Sequence, residues 1–284
     1  MNNQMLINLI PGDTFLHRLT GKTKVRLFLI LLVFIIMSFD LRLLLPLGIL
    51  SLLGLISLKP RWRTLRYFFI IAAVMNLINV FLYYFVNPDI GALWCNGGRT
   101  VLYRFNDRYF LSAQTVWYLS VRFLKMMVSF LVSMTFILSI TPSELAAGLY
   151  SVKVPYKVCT VFSIAFRYIP DILRDYENIK ISMQVRGIEL DPKKARLMVR
   201  LKQNVLILIP LIITSFDRVG NIANAMDLRG YGKGKSRTYY SEHEERKSDH
   251  IFKVIYSALL IFCIYWIITR NLMPQPMKMW YPFG

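Results

Sequence analysis

Two arginine–glycine pairs, Arg186-Gly187 and Arg229-Gly230, are the residues whose type and repetition point most directly to a binding role. The first follows Ser182-Met183-Gln184-Val185, and the second follows Ala225-Met226-Asp227-Leu228. Glycine can adopt the left-handed conformation that follows a last helical turn, and an arginine there faces the negative end of the helix dipole. We therefore predict two exposed cationic helix ends. A single pair would be an ordinary helix stop, but the repetition favours a shared function.

An amphipathic helix is predicted before each pair, because apolar residues recur at helical spacing. In the first segment these are Ile172, Leu173, Tyr176, Ile179 and Met183, with Arg174, Asp175, Glu177 and Lys180 on the other side. In the second they are Ile212, Phe216, Val219, Ala223 and Met226. Each helix is thus expected to present one apolar face that ends beside a cationic tip.

The composition places these helices in a membrane protein. Of the 284 residues, 55% are apolar and 14% aromatic, and the mean hydropathy is +0.45, which excludes an ordinary soluble domain. Five mostly apolar segments approach, with their flanks, the roughly 20 residues that a transmembrane helix needs. These are 25–39, 41–58, 65–86, 116–140 and 251–269. We predict an all-α, polytopic membrane protein with about five transmembrane helices and long amphipathic helices on the cytoplasmic side.

The chain is predicted to have three parts. They are four transmembrane helices in 1–140, a cytoplasmic module in 141–250, and a last transmembrane helix with an outside tail in 251–284. Two stretches of the module, 158–169 and 205–216, are apolar. Arg167, Pro170 and Pro210 nevertheless make them poor spanning segments, so we expect long helices partly buried against the bundle and partly at the membrane interface.

A helix cap is predicted where the module starts. Thr141 can accept a hydrogen bond from the amide near Glu144, and Pro142 suits the first position of a helix. We expect a short helix over residues 142–149.

The net charge of +19 is informative because of where the charges lie. Most of the 35 Lys and Arg residues are in 1–26, 59–66 and 140–250, which are alternate loops of the five-helix scheme. We therefore predict the N-terminus inside and the C-terminus outside the cell membrane, without a cleaved signal. A basic inner face suits anionic lipids at about 1 kcal/mol per nearby Lys or Arg, so the lipid bilayer suffices as a partner and no nucleic acid is predicted.

No catalytic, cofactor or metal site is predicted. Cys95, Cys159 and Cys263 lie in different segments without paired spacing, and the three histidines are equally scattered. Residues 230–236 end like a phosphate-binding loop, but Arg229 occupies the place of its first glycine. We interpret this segment as a basic linker, so any nucleotide hydrolysis must take place in another chain.

Polar residues inside the predicted transmembrane helices are costly unless they face protein or water. Arg122, Lys125, Ser129 and Ser133 share one face of the fourth helix. Either this face points to protein or water, or Arg122 and Lys125 extend to the nearby outer surface. Asn76 and Asn79 in the third helix are predicted to form hydrogen bonds between helices.

A set of motifs over residues 140–232 resembles the transmembrane T component of energy-coupling factor (ECF) transporters. In chain order they are Thr141-Pro142-Ser143-Glu144-Leu145, Phe166-Arg167-Tyr168-Ile169-Pro170, Gln184-Val185-Arg186-Gly187, Pro210-Leu211, Ser215-Phe216-Asp217-Arg218 and Ala225-Met226-Asp227-Leu228-Arg229-Gly230-Tyr231. The apolar segments before and after these motifs fit the same family. The family pattern has Ala-Arg-Gly twice, whereas Val185 and Leu228 replace the alanines here.

The resemblance implies a scaffold of an ABC importer. Two cytoplasmic ABC-type ATPases would bind the ends of crossed coupling helices, and a substrate-binding S component would pack on the membrane side. The implied ATPase-coupling residues are Gln184, Val185, Arg186, Gly187, Asp227, Leu228, Arg229 and Gly230. The implied residues for packing of the S component and coupling helices are Arg167, Tyr168, Pro170, Ile179, Met183, Pro210, Phe216 and Met226. The chain itself would be non-catalytic and without a cofactor, and would couple ATP hydrolysis to uptake of a vitamin or metal ion.

Two other function classes are weighed against this scaffold. A self-contained secondary transporter should show inverted repeats, broken helices and charges at the membrane midplane, which the predicted spans lack. A membrane enzyme should gather ionisable groups near one face. The acidic residues of the module instead alternate with basic ones along the helices, as on solvated faces.

Overall fold

The computed structural model describes residues 14–60, 62–95, 100–104, 109–187, 197–234, 247–272 and 279–282. The chain forms two compact units. Unit 1 comprises Met1–Val152 and Glu242–Gly284, and unit 2 comprises Lys153–Ser241. The three-part division at 140/141 and 250/251 stays a prediction.

Almost all of the described chain is helical. In chain order the elements are α1 (Gly21–Met37), α2 (Leu41–Ser57), α3 (Trp62–Val86), α4 (Ile90–Trp94), β1 (Val101–Arg104), β2 (Phe110–Ser112), α5 (Ala113–Ser139), α6 (Pro142–Ser151), α7 (Tyr156–Val185), α8 (Leu197–Leu228) and α9 (Lys247–Leu272). The all-α fold class is confirmed. The two short strands form an antiparallel hairpin within 87–115, a segment for which no strands were predicted.

Four helices contain segments long and apolar enough to cross a membrane: Leu65–Val86, Ala113–Ser139, Asn204–Leu228 and Asp249–Thr269. Three of them coincide with predicted spans, and α2 is a shorter apolar helix. Asn204–Leu228 differs from the expectation that 205–216 would be a poor span. The reason is that α8 continues through Pro210, so the apolar run is not cut short there.

Helix α5 is the centre of unit 1, where it packs against α1, α2, α3 and α4. Its buried residues Tyr118, Val121 and Val128 form a core with Ile35 of α1 and Leu44 of α2. Since the core residues are mostly apolar and closely packed, these helices are held together mainly by burial of apolar surface.

Several polar side chains within α3 and α5 contact groups of neighbouring helices. Asn76 Nδ2 donates a hydrogen bond to the carbonyl of Phe123 at 2.9 Å, which confirms the predicted link between helices. Asn79 Oδ1 lies 3.5 Å from a guanidinium nitrogen of Arg122. Lys125 Nζ donates to the carbonyl of Ile36 at 2.7 Å. Of the two alternatives for the α5 face, these contacts favour a face directed to protein.

Residues 279–282 are seated at the end of unit 1 where α1 finishes. The backbone N–H of Trp280 donates to Asp40 Oδ1 at 3.1 Å, and Trp117 Nε1 donates to the Trp280 carbonyl at 2.9 Å. The guanidinium carbon of Arg42 lies 3.8 Å from the Trp280 ring centroid. These residues therefore close the end of the bundle opposite to the start of α1.

The predicted cap at the start of α6 is present. Thr141 Oγ1 accepts from the backbone N–H of Glu144, the Glu144 carboxylate accepts from the backbone N–H of Thr141, and Pro142 occupies the first turn. This reciprocal pair satisfies two N–H groups that would otherwise lack partners at a helix start.

Candidate docking site at two helix ends

The first Arg-Gly pair ends α7 as the sequence predicts. Arg186 is the C-cap of the helix, and its N–H donates to the Ser182 carbonyl at 3.2 Å. Gly187 has φ 88°, and its N–H donates to the Gln184 carbonyl at 3.0 Å. A residue with a Cβ adopts this left-handed conformation only at a cost, so glycine is what permits the helix to end at this point.

The second pair ends α8 with a complete C-terminal capping motif. Gly230 has φ 68°, and its N–H donates to the Asp227 carbonyl at 2.9 Å. The N–H of Tyr231 donates to the Met226 carbonyl, also at 2.9 Å. This combination is a Schellman motif, which satisfies carbonyls that the helix itself leaves free. The end of α8 is therefore fixed by backbone hydrogen bonds rather than by the Arg229 side chain.

The side chains at both ends are displayed to the outside of unit 2. Val185 is 83% exposed and Leu228 90% exposed, and Arg186 and Arg229 are also exposed. Among the described residues, neither arginine has an ion-pair partner. A guanidinium in this state can form bidentate pairs with carboxylates or bind carbonyls of another chain. Burial of either apolar neighbour against a partner would contribute roughly 1.5–3 kcal/mol.

Helices α7 and α8 pack on each other within unit 2 and run in opposite directions. The ring of Tyr156, at the start of α7, packs edge-on against that of Tyr231, just after α8, with centroids 6.0 Å apart. Farther along, Arg218 of α8 forms an ion pair with Asp175 of α7. The start of one helix thus lies beside the end of the other.

The Asp175–Arg218 ion pair lies midway between the two helix ends. Asp175 precedes Arg186 by the same number of residues as Arg218 precedes Arg229. At 1.5 Å per residue each end is about 16 Å from the ion pair, so antiparallel helices place the ends on the order of 30 Å apart. Such a separation suits two separate binding partners better than one small ligand.

The predicted packing residues are distributed along both helices. Tyr168, Pro170, Ile179, Met183, Pro210 and Met226 are partly buried, whereas Arg167 and Phe216 are exposed. Of these, Tyr168 lies at the ion pair, with its ring centroid 5.8 Å from the Arg218 guanidinium carbon. Phe216 is 70% exposed and Val219 59% exposed. Unit 2 therefore leaves an apolar surface on α8 that its own residues do not cover.

The sequence interpretation missed the role of Asp175 and Arg218. The sequence pattern places Asp175 on a solvated polar face, whereas the structure pairs it with Arg218 and leaves both side chains 30% exposed. The indication in the sequence is that Asp175 and Arg218, which carry opposite charges, precede their Arg-Gly pairs by the same number of residues. An ion pair between helices needs such complementarity, but spacing alone does not show which faces meet.

Among the described residues, no group of three or more His, Cys, Asp or Glu side chains could hold a metal ion. The phosphate-loop lookalike follows α8 directly, so a helix rather than a strand precedes Gly230. Its Lys235 and Ser236 lie outside the described residues.

Comparisons with known proteins identify relatives of this chain by sequence. Over residues 12–240 the sequence matches the family described as cobalt transport protein, CbiQ. The energy-coupling factor transporter transmembrane protein EcfT of Lactococcus lactis subsp. cremoris is 26% identical over 276 residues, or 94% of this chain and 98% of that protein. The protein of the same name from Clostridium kluyveri is 27% identical over 271 residues, or 90% of this chain and 93% of its own length. The similarity therefore extends over both units.

Proposed function

The chain belongs to the cobalt transport protein (CbiQ) family and is an EcfT-like transmembrane T component of ECF transporters, and on this premise we propose that it couples two cytoplasmic ABC-type ATPases to a membrane S component. ATP hydrolysis by the ATPases moves α7 and α8, and these helices move the S component during uptake of a vitamin or metal ion. The chain contributes no catalytic group of its own.

The observation that carries this proposal is the pair of Arg-Gly helix ends. Each presents an exposed apolar side chain, an arginine without an acidic partner among the described residues, and a glycine with positive φ. The glycine lets a partner backbone approach, and the arginine supplies charged hydrogen bonds. Because the ends lie on the order of 30 Å apart, we assign one ATPase to each. The ATPase-coupling residues are 184–187 and 227–230.

The exposed apolar surface of α8 supports the S component as the second partner. Ile212, Phe216 and Val219 are each more than half exposed, which is costly unless lipid or protein covers them. An S component packed on this surface would be displaced when the ATPases tilt the helices. Conformational coupling of this kind requires that the two partners bind the same movable element.

We further propose a cell-membrane location with the N-terminus inside and the C-terminus outside. The lopsided distribution of Lys and Arg supports this orientation. In unit 1, the starts of α1, α6 and α9 meet at one end, and residues 279–282 lie at the other. That arrangement fits an α9 that crosses from the inner to the outer side.

A self-contained secondary transporter is the alternative. Such transporters bind substrate at interrupted helices near the membrane midplane. Helices α7 and α8 instead continue through Pro170 and Pro210, which favours a rigid transmitting role. Uptake by the reconstituted chain without any ATPase would support the alternative.

The double substitution Arg186→Ala/Arg229→Ala tests the proposal. We expect normal membrane insertion but loss of ATPase copurification, because a partner carboxylate left buried and unpaired costs on the order of 2–5 kcal/mol per site. Arg63→Ala/Arg174→Ala removes the same charge from exposed positions of α3 and α7 and serves as the control. Undiminished ATPase recovery with the first variant would refute the coupling assignment.

A further inference from the structure

A cluster of buried polar residues, called the polar joint below, connects the starts of α1, α6 and α9 through Asp249, Lys24 and Glu144. Asp249 of α9 is fully buried, and its Oδ1 accepts hydrogen bonds from the backbone N–H and the hydroxyl of Thr20, both at 3.0 Å, and from the Thr23 hydroxyl at 3.1 Å. An aspartate distant in sequence thus caps the first turn of α1 and complements the positive end of its dipole.

On another side of the joint, α1 is fastened to α6. Lys24 Nζ donates to Glu144 Oε2 at 2.9 Å, to the Ser139 carbonyl at 2.8 Å and to the His17 carbonyl at 3.0 Å. All three ammonium hydrogens are therefore used. A buried ion pair with its hydrogen-bonding capacity met in this way is costly to separate, because either charge alone would be left unpaired.

The backbones of α1 and α6 also approach too closely for side chains. A Cβ placed on Gly148 would lie 2.4 Å from Val25 Cγ2, and a Cβ on Gly21 would lie 2.2 Å from the Glu144 carbonyl oxygen. Both distances are far inside van der Waals contact, so each glycine is required at its position. Helix α6 is consequently fixed to α1 along its length.

Arg26 of α1 contacts both α6 and α9. Its Nη2 donates to the carbonyl of Ser151, the last residue of α6, at 3.0 Å. Its Nη1 lies 3.2 Å from the hydroxyl of Tyr256 in α9. The first segment of unit 1 ends at Val152, one residue after Ser151, and the second begins at Glu242, before α9. This side chain therefore links α6 to the helix that follows unit 2 in the chain.

We propose that Arg26 is a positioning residue that clamps α6 and α9 to α1, so that movement of α7 and α8 is passed to a partner instead of being lost in movement of their connections. The inference rests on the proposed function. Its physical basis is that movement of α7 and α8 can displace a partner only if the segments of unit 1 to which they are connected stay in place. Arginine donates from two outer nitrogens held apart in one rigid plane, whereas a lysine donates from a single nitrogen, so a lysine at position 26 would not place donors at both Ser151 and Tyr256 in the same way.

Arg26→Lys tests the clamp while it keeps the positive charge that orients α1 in the membrane. Arg18→Lys is the matched control, since Arg18 lies exposed just before α1. Spin labels on Leu149 of α6 and Val254 of α9, in a chain without native cysteines, report the distance between these helices. We expect a broader distance distribution with Arg26→Lys and Arg26→Ala, and no change with the control.

The second readout is solute uptake per ATP hydrolysed by the reconstituted complex. We expect Arg26→Lys to lower it by roughly tenfold while ATPase copurification stays normal. An unchanged distance distribution in both Arg26 variants would overturn the clamp. A broadened distribution with unchanged uptake per ATP would overturn its positioning role. If the unaltered chain bound no ATPase, the proposed function would fail, whereas the distance measurement would still decide for or against the clamp.

Discussion

At the scale of single residues, each proposed docking end combines three properties that no one side chain could supply. Val185 and Leu228 provide apolar surface, Arg186 and Arg229 provide charge, and the following glycines set the direction of the chain. The side chains of Val185 and Leu228 are larger than the alanines of the family pattern. Their near-complete exposure shows that unit 2 itself accommodates the larger side chains without strain.

Cys95 illustrates how burial controls a side chain outside the membrane-spanning helices. It is 1% exposed, and burial raises the pKa of its thiol to about 11. Since only the thiolate reacts, we expect Cys95 as the sole cysteine to resist a maleimide at pH 7 to 8 in the folded protein and to react after denaturation. Leu102→Cys, at a position 64% exposed, is the control and should react rapidly with the maleimide in the folded protein. Rapid labelling of native Cys95 would contradict the burial.

The same raised pKa has a consequence for stability. The folded state holds the thiol proton more tightly than the unfolded state, whose pKa is near the ordinary 9.0. The stabilising contribution is therefore fully present below pH 9 and is lost as the pH rises towards 11. In a Cys95→Ala variant, this part of the loss of folding stability at alkaline pH should be absent from unfolding curves.

At the scale of elements, the way α8 ends decides whether Arg229 is held in place. The Schellman motif requires the positive φ of Gly230. Gly230→Ala should strain the motif by about 1 kcal/mol and weaken ATPase binding several-fold. Gly230→Asn should retain most binding, because asparagine tolerates the left-handed conformation.

The control for this prediction is Gly220→Ala, within the same helix. A Cβ at Gly220 meets nothing within 4 Å, so the helix should be slightly stabilised and ATPase binding unchanged. Titration of the purified ATPases against each variant in detergent gives the affinities. Equal affinities for the Ala variant at position 230 and the unaltered chain would show that the helix end need not be preformed.

At the scale of the whole molecule, the proposed topology places the hairpin and the loop after α8 on opposite sides of the membrane. Leu102 in β1 and Lys233 after α8 are both exposed, so each can carry a single cysteine in a chain without native cysteines. An impermeant thiol reagent should label Leu102→Cys from outside intact cells and Lys233→Cys only after permeabilisation. Labelling of both from the same side would overturn the topology.

The sequence by itself determined the features that depend on neighbouring residues. Glycine after arginine predicted both helix ends, Thr141 to Glu144 predicted the cap of α6, and apolar length predicted three of the four candidate spans. All of these are local, because conformation and periodicity are set within a few residues. The family resemblance was likewise visible in ordered short motifs, and the comparisons show it.

Only the tertiary structure decided which distant groups meet. In the sequence Asp175 is one charge on a solvated face, but in the structure it pairs with Arg218 of α8. Arg26 is one of the basic residues that predict the topology, but in the structure it binds Ser151 of α6 and Tyr256 of α9. Asp249 similarly lies far along the chain from the helix start that it caps. Helical periodicity shows which residues share a face, but the partner of that face depends on packing between elements. Long-range pairing is therefore a property of the folded molecule.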